Sequence, residues 1–196
     1  MVVGLLCTGC SPKLAGVETT NGCTVVATAT SVEGTAPPLS RVFLFGERYI
    51  PFIDSGLGIG TAADADGAFR FSAPPGAYNV FIIGPTGEAA GFAVATPAAG
   101  ANQVLRNGML QRVGAVSGAV SAADSDTLLV FLSGMCHYQL LCAGRSFSLK
   151  SVPAGTYELV IARLTGSAAG VTWKTVRELA VTVSPDETAA VGEVSF

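Results

Sequence analysis

The sequence predicts an all-β protein made of two tandem Greek-key β-sandwich domains. Three observations carry that expectation. First, a pattern recurs: Phe69, Phe71, Gly76, Tyr78, Val80 and Ile82 correspond to Phe147, Leu149, Gly155, Tyr157, Leu159 and Ile161. Second, both copies alternate apolar with small or polar residues, which is the period of a half-buried strand. Third, the 24 Gly and 10 Pro fall between short apolar runs, as they do where strands are joined by tight turns, and no stretch carries a long amphipathic helical period.

The totals agree. A chain of 196 residues accommodates two modules of about 90 residues each. Apolar residues make up 49% and charged residues 13%, so the chain fills a core. The net charge is −3 and the 11 Lys and Arg are scattered, which argues against a nucleic-acid partner. No apolar run approaches the roughly 18–20 residues of a spanning helix.

Taken in order, 23–30 and 41–45 read as early strands of the first module. Asp66-Gly67 supplies the positive φ of a tight turn before the Phe69–Phe71 strand. Pro75-Gly76 makes the next corner before Tyr78, and 87–97 and 102–107 complete the module. Module one therefore spans 22–106 and module two 107–196, with Asn107-Gly108 as the boundary. The second module opens with 112–121 and 127–134, repeats the corner at Gly155, and closes with 171–185 and 189–196. The glycine-rich run Gly56–Gly60 reads as a flexible loop, because a phosphate loop needs a following helix N-terminus. Each corner glycine is expected in a backbone conformation costly to other residues. Each corner tyrosine is expected to be mostly buried, with its hydroxyl bonded to nearby backbone.

Two resemblances follow from quoted residues. Ala63-Asp64-Ala65-Asp66-Gly67-Ala68-Phe69-Arg70-Phe71 and Pro75-Gly76-Ala77-Tyr78-Asn79-Val80 resemble the signature of carboxypeptidase regulatory-like modules, also called prealbumin-like or transthyretin-like. The second copy keeps only the latter half of the signature, with Ala143-Gly144 in the turn. The resemblance implies a prealbumin-like, carbohydrate-binding-like sandwich and an accessory rather than a catalytic role. At the start, Val2–Cys7 is apolar, followed by Thr8, Gly9 and Cys10, and this resembles the end of a bacterial lipoprotein signal peptide. Cys7 stands where Leu is usual, and the stretch is short and lacks a basic start; a start codon called too late accounts for the last two. The resemblance implies a partial signal at 1–9, lipidation of Cys10, and a polar tether over 10–21. Glu18–Gly22, "ETTNG", extends the likeness to a group of lipoproteins carrying two such modules. The expected location is the cell envelope, with a membrane partner through the lipid. Ser11 is not the acidic residue linked to inner-membrane retention, so the outer membrane is favoured.

The chemistry-bearing residues are few. Cys136 and Cys142 bracket a hairpin-like segment and form the candidate disulfide, leaving Cys23 as a buried thiol. Asp64 and Asp66 begin like a calcium loop, but its twelfth position is Pro75, so a turn is favoured. Cys136 and His137 are adjacent on a strand and point to opposite faces, which argues against a Cys–His nucleophile. His137 is the one histidine, and no metal or other cofactor is expected.

Two places offer aromatic binding groups. The segment 46–60 carries Tyr49 and Phe52, and a predicted strand carries Trp173; these are the candidate ligand-binding residues, suited to stacking on sugar rings. The competing reading has Tyr49, Ile50 and Phe52 capping the sandwich and Trp173 in a core or interface. The function expected is a non-catalytic structural, adhesive or scaffold role at the envelope, toward a glycan or protein partner. The alternative is a carbohydrate-binding accessory module, and an enzyme comes third.

Overall fold

The computed structural model describes residues 21–51, 53–54, 58–98, 103–121, 126–142, 145–167 and 170–195. The chain is all-β, and the described residues contain strands and turns but no helix. In the first half the strands are β1 (Gly22–Ala27), β2 (Ser31–Thr35), β3 (Arg41–Gly46), β4 (Gly58–Ala62), β5 (Ala68–Ser72), β6 (Gly76–Ile83), β7 (Ala89–Thr96) and β8 (Val104–Met109). In the second half they are β9 (Gly114–Ser121), β10 (Thr127–Leu132), β11 (Tyr138–Leu141), β12 (Ser146–Val152), β13 (Gly155–Ser167), β14 (Gly170–Val183) and β15 (Thr188–Ser195).

Each half pairs two sheets over an apolar layer. The first has the orders β5-β2-β1-β8 and β4-β3-β6-β7; the second has β12-β9-β15 and β11-β10-β13-β14. The period-2 pattern decides which residues face inward. Val25, Val42, Leu44, Phe71, Val80 and Ile82 fill the first layer. Val116, Leu128, Val130, Leu149, Leu159 and Ile161 fill the second.

The repeat runs deeper than the matching corners. Strands β2 to β8 correspond in order to β9 to β15, and among the described residues the second half has no counterpart of β1. Strand direction shows the consequence. β1 is antiparallel to both β2 and β8, so those two run the same way. Without β1, the counterparts of β2 and β8 become neighbours and must pair in parallel, as β9 and β15 do.

Two expectations are corrected here, and one strand was missed. Asn107 and Gly108 lie inside β8, paired with Thr24 and Cys23, so the crossing between halves is Leu110–Val113. A side chain at Gly108 would meet the Phe92 ring at 2.7 Å, so this glycine is a packing residue and not a linker. The run Gly58–Gly60 is strand, not loop: it pairs with Phe43–Phe45. The Phe45 and Phe43 rings lie across Gly58 and Gly60, where a Cβ would stand 2.7 and 3.1 Å from them. The rings thereby cover an edge that glycine leaves bare. β2 was not expected either, since it contains Glu33 and Gly34, both uncommon in strands. Gly34 is required because a Cβ there would run into the Thr24 carbonyl of β1 and stand 2.9 Å from the Phe69 ring.

The halves are not separate beads. The face of β3 and β6 turned away from the first core carries Phe43, Phe45, Phe81 and Ile83, and all four join the core of the second half. Phe43 stacks on Phe45 and Phe81 with ring centroids 6.1 and 6.2 Å apart. The central strands β3 and β6 of the β4-β3-β6-β7 sheet are therefore covered on both faces. That explains why β3 and β6 read as nearly unbroken apolar runs.

Candidate functional site

The two corners repeat one device. The Tyr78 hydroxyl donates to the Pro74 carbonyl at 2.9 Å, and the Tyr157 hydroxyl donates to the Pro153 carbonyl at 3.0 Å. To reach four residues back, each ring folds over the intervening glycine. A Cβ on Gly76 would stand 3.3 Å from the Tyr78 ring, and one on Gly155 would stand 3.0 Å from the Tyr157 hydroxyl. Gly155 has a φ of +157°, near the extended limit, and Gly76 is not among the positive-φ residues. At Gly76 the glycine requirement is thus room for the ring, while at Gly155 a backbone conformation that L side chains rarely adopt adds to it, as expected. Both tyrosines are half-buried rather than mostly buried. Burial still pushes the Tyr157 hydroxyl up to about 12, so it stays a proton donor at any physiological pH.

The segment after β3 is the joint between the halves. Tyr49 packs on Phe45 with ring centroids 4.9 Å apart, and its carbonyl accepts from Gly134 N–H at 3.0 Å. Ile50 and Ile53 lie on the outer face of β10 and β13, against the buried Leu129, Phe131, Val160 and Ala162. The Asp54 carboxylate accepts from Ile50 N–H at 2.8 Å and pins the turn. Tyr49 is therefore half-buried packing, and not a platform presented to solvent. Phe52 and the lipidation candidate Cys10 lie outside the described residues.

The sequence-marked polar groups have structural partners. Asp64 Oδ1 accepts from the N–H groups of Asp66 and Ala68 at 2.9 and 2.8 Å, and Gly67 has φ +80°. This is an Asx turn built by the residues that resembled a calcium loop. His137 Nε2 is 3.0 Å from the Ser151 carbonyl, and its ring meets the edge of Phe81 with centroids 5.4 Å apart. A carbonyl only accepts, so Nε2 carries the proton and Nδ1 is a bare acceptor. Nδ1 is buried without a hydrogen-bond partner. Burial lowers the histidine's pKa, and the bond to Ser151 opposes that shift.

The candidate disulfide partners Cys136 and Cys142 are free and exposed, and Cys23 is free and buried. The two flank the strand β11. Four extended residues alone separate their ends by roughly 10 Å at about 3.3 Å per step, beyond the ~7 Å limit for a disulfide. Loss of solvation at the sulfur raises the pKa of Cys136, although the residue as a whole is exposed, and burial raises that of Cys23 to about 11, so neither is an activated thiol.

A cleft of ≈ 330 Å³ opens where the halves meet. Its floor is the outward face of β6 and β7, with Asn79, Phe81, Gly91 and Ala93. Its far wall is the start of β13, including Tyr157 and Glu158, and Glu47 stands at one end. Among the described residues, no cationic one lines it. Trp173 lies elsewhere, on the outward face of β14 opposite Leu164, and is 38% exposed. The sequence had no signal for the cleft, because its walls come from different halves.

No protein-family model matches the chain. No curated protein matches it. Among solved structures it is similar to one described as "Biofilm associated protein - BSP domain", at 14% identity and a TM-score of 0.27, over 82% of this chain. The chain spans 28% of the length of that one.

Proposed function

We propose that this chain is a non-catalytic cell-envelope protein, held to a membrane by lipid on Cys10, in which two β-sandwich halves serve as a structural or adhesive scaffold. One observation carries the scaffold reading: the β4-β3-β6-β7 sheet belongs to both cores, so the halves are fused through Phe43, Phe45, Phe81 and Ile83. Such a joint holds two surfaces in fixed relation. His137, Tyr157, Asp64 and Cys23 are each engaged by a bond to backbone. The anchor reading is supported by the residues leading to Cys10 and by the physics of acyl chains: two or more hold a protein stably where one is marginal.

Cell fractionation of Cys10→Ala tests the anchor. The parent sediments with membranes after a salt wash, and the variant is released. A variant that stays with the membranes overturns it.

A second reading, glycan binding, is favoured by one observation: Trp173 stands exposed on an outward sheet face. An aromatic face in that position suits stacking on sugar rings.

A further inference from the structure

Sheet edges are adhesive unless something blunts them, because each presents a row of unpaired N–H and C=O groups. Most edges of this protein are blunted. β14 carries Lys174, Arg177 and Glu178 and a register break opposite Ile161 and Ala162. β15 and β12 each carry a register break of their own. β8 bears Arg106 and β5 bears Arg70, the latter paired with Glu33 at 3.4 Å. β11 is tied to its neighbour, since Gln139 accepts from Ser148 N–H at 2.9 Å. β4 has only five residues.

β7 is different. It has eight residues, AAGFAVAT, with no charge, no proline and no break in its register with β6. Its outward-pointing groups can be identified. Ala89 exchanges both backbone bonds with Gln111, at 2.8 and 3.0 Å, on the side away from β6. In an antiparallel strand that orientation alternates, so the N–H and C=O of Gly91, Ala93 and Ala95 also point away from β6. All three residues are exposed, and among the described residues no strand pairs with them. Gln111 occupies the first position of this edge and leaves the rest open.

The open edge runs into the cleft between the halves, since Gly91 and Ala93 form part of its lining. The cleft's charged residues are Glu47 and Glu158, both exposed. Glu178 lines the groove that continues beyond Glu158. From these observations we infer that β7 is a docking edge that takes up an extended, basic peptide segment as an added strand beside Gly91–Ala95. The backbone of the edge supplies the hydrogen bonds and the carboxylates supply the charge selection. The edge from Gly91 to Ala95 is about 14 Å long, which fits a segment of about five residues. This inference does not depend on the membrane anchor.

The test uses the full chain and a fluorescein-labelled heptapeptide of alternating lysine and valine, read by fluorescence anisotropy. Three comparisons accompany it: the same peptide N-methylated at alternate residues, a peptide with glutamate for lysine, and the variant Ala93→Pro. Proline at this position deletes an outward N–H and leaves the bonds to β6 intact, which edge strands tolerate. The lysine peptide should bind saturably to the parent. N-methylation and Ala93→Pro should each weaken binding at least tenfold, with the circular dichroism and melting temperature of Ala93→Pro close to the parent's. The glutamate peptide should not bind, and Glu47→Gln with Glu158→Gln should weaken binding and flatten its salt dependence. No saturable binding by the parent overturns the inference. So does equal binding of the N-methylated peptide, a result that decides the matter on the parent protein even if Ala93→Pro fails to fold. A dimer seen by sedimentation and dissociated by Ala93→Pro overturns the basic peptide as occupant and puts a second copy in its place.

Discussion

Asn79 of the first half donates its side-chain amide to the carbonyl of Gly134 in the second, at 3.1 Å. Gly134 has φ +70°, and its N–H is bonded to the Tyr49 carbonyl. A Cβ there would stand 2.1 Å from Asn79 Nδ2 and 2.5 Å from the Glu47 carbonyl. The joint is therefore closed by backbone contact in a space that only glycine fits.

Gly134→Ala should destabilise the protein by about 2–4 kcal/mol. About 1–2 of this comes from the left-handed conformation and the rest from overlap. Asn79→Ala should cost about 1 kcal/mol, the ordinary worth of a hydrogen bond. Because the halves share a core, the parent should unfold in urea as a single transition seen equally by fluorescence and circular dichroism. Two separate transitions in the parent would mean that the joint does not couple them.

The corner tyrosines give a graded test. Tyr157→Phe keeps the ring and loses the bond to Pro153, so it should cost about 1 kcal/mol. Tyr157→Ala also loses the ring that packs against the second core, and should cost about 3–5 kcal/mol. Gly155→Ala pushes a methyl group against the hydroxyl and also strains the backbone at φ +157°, so it should cost more than Tyr157→Phe. Equal melting temperatures for the parent and Tyr157→Ala would remove the corner from the account of stability.

How far the sequence could be read depends on the range of the interaction. The all-β class and the paired corners were legible because period-2 alternation and Pro-x-Gly-x-Tyr spacing are local. β4 was hidden because its glycines look like loop until the Phe43 and Phe45 rings are placed over them. Asn107-Gly108 looked like a boundary because local turn chemistry says so, yet pairing with β1 and the Phe92 ring override it. The role of Tyr49 was the least legible. An aromatic in a long loop looks like a binding group until the second half is found packed on it. The cleft and the open β7 edge depend on which strands are neighbours, and alternation carries no information about that.

His137 should give the protein a pH dependence near neutrality. Its folded-state pKa is depressed below the usual 6.5 by burial, so the unfolded chain takes up the proton first. Stability is then complete above about pH 6.5 and falls as the pH drops below it toward the folded-state value. Protonation puts a hydrogen on Nδ1, which has no acceptor, beside the Phe81 edge. The melting temperature of the parent should fall between about pH 7.5 and 5.5, a range above that in which carboxylates of ordinary pKa titrate. His137→Phe should flatten the profile over this range. A parent profile already flat there would show that the ring takes up its proton equally well folded and unfolded.

Trp173 separates the glycan reading from a purely scaffold role. It is the one tryptophan in the chain, so its fluorescence reports its own surroundings. Its backbone pairs with that of Leu164, and the next pair along the hairpin, Thr165 and Thr172, is joined by a hydroxyl bond of 2.6 Å. The strand pair beneath the ring is therefore held in place while the ring itself is partly open to solvent. If sugars stack there, soluble polysaccharide fragments should blue-shift and quench the emission. Trp173→Ala should abolish retention on insoluble polysaccharide while changing stability by less than about 1 kcal/mol, as at other partly exposed positions. Tyr49→Ala should behave in the opposite way, lowering the melting temperature through the lost contact with Phe45 and leaving retention intact in the folded protein. Emission unchanged by every polysaccharide would leave Trp173 as surface packing on β14, and the scaffold reading would stand without a glycan.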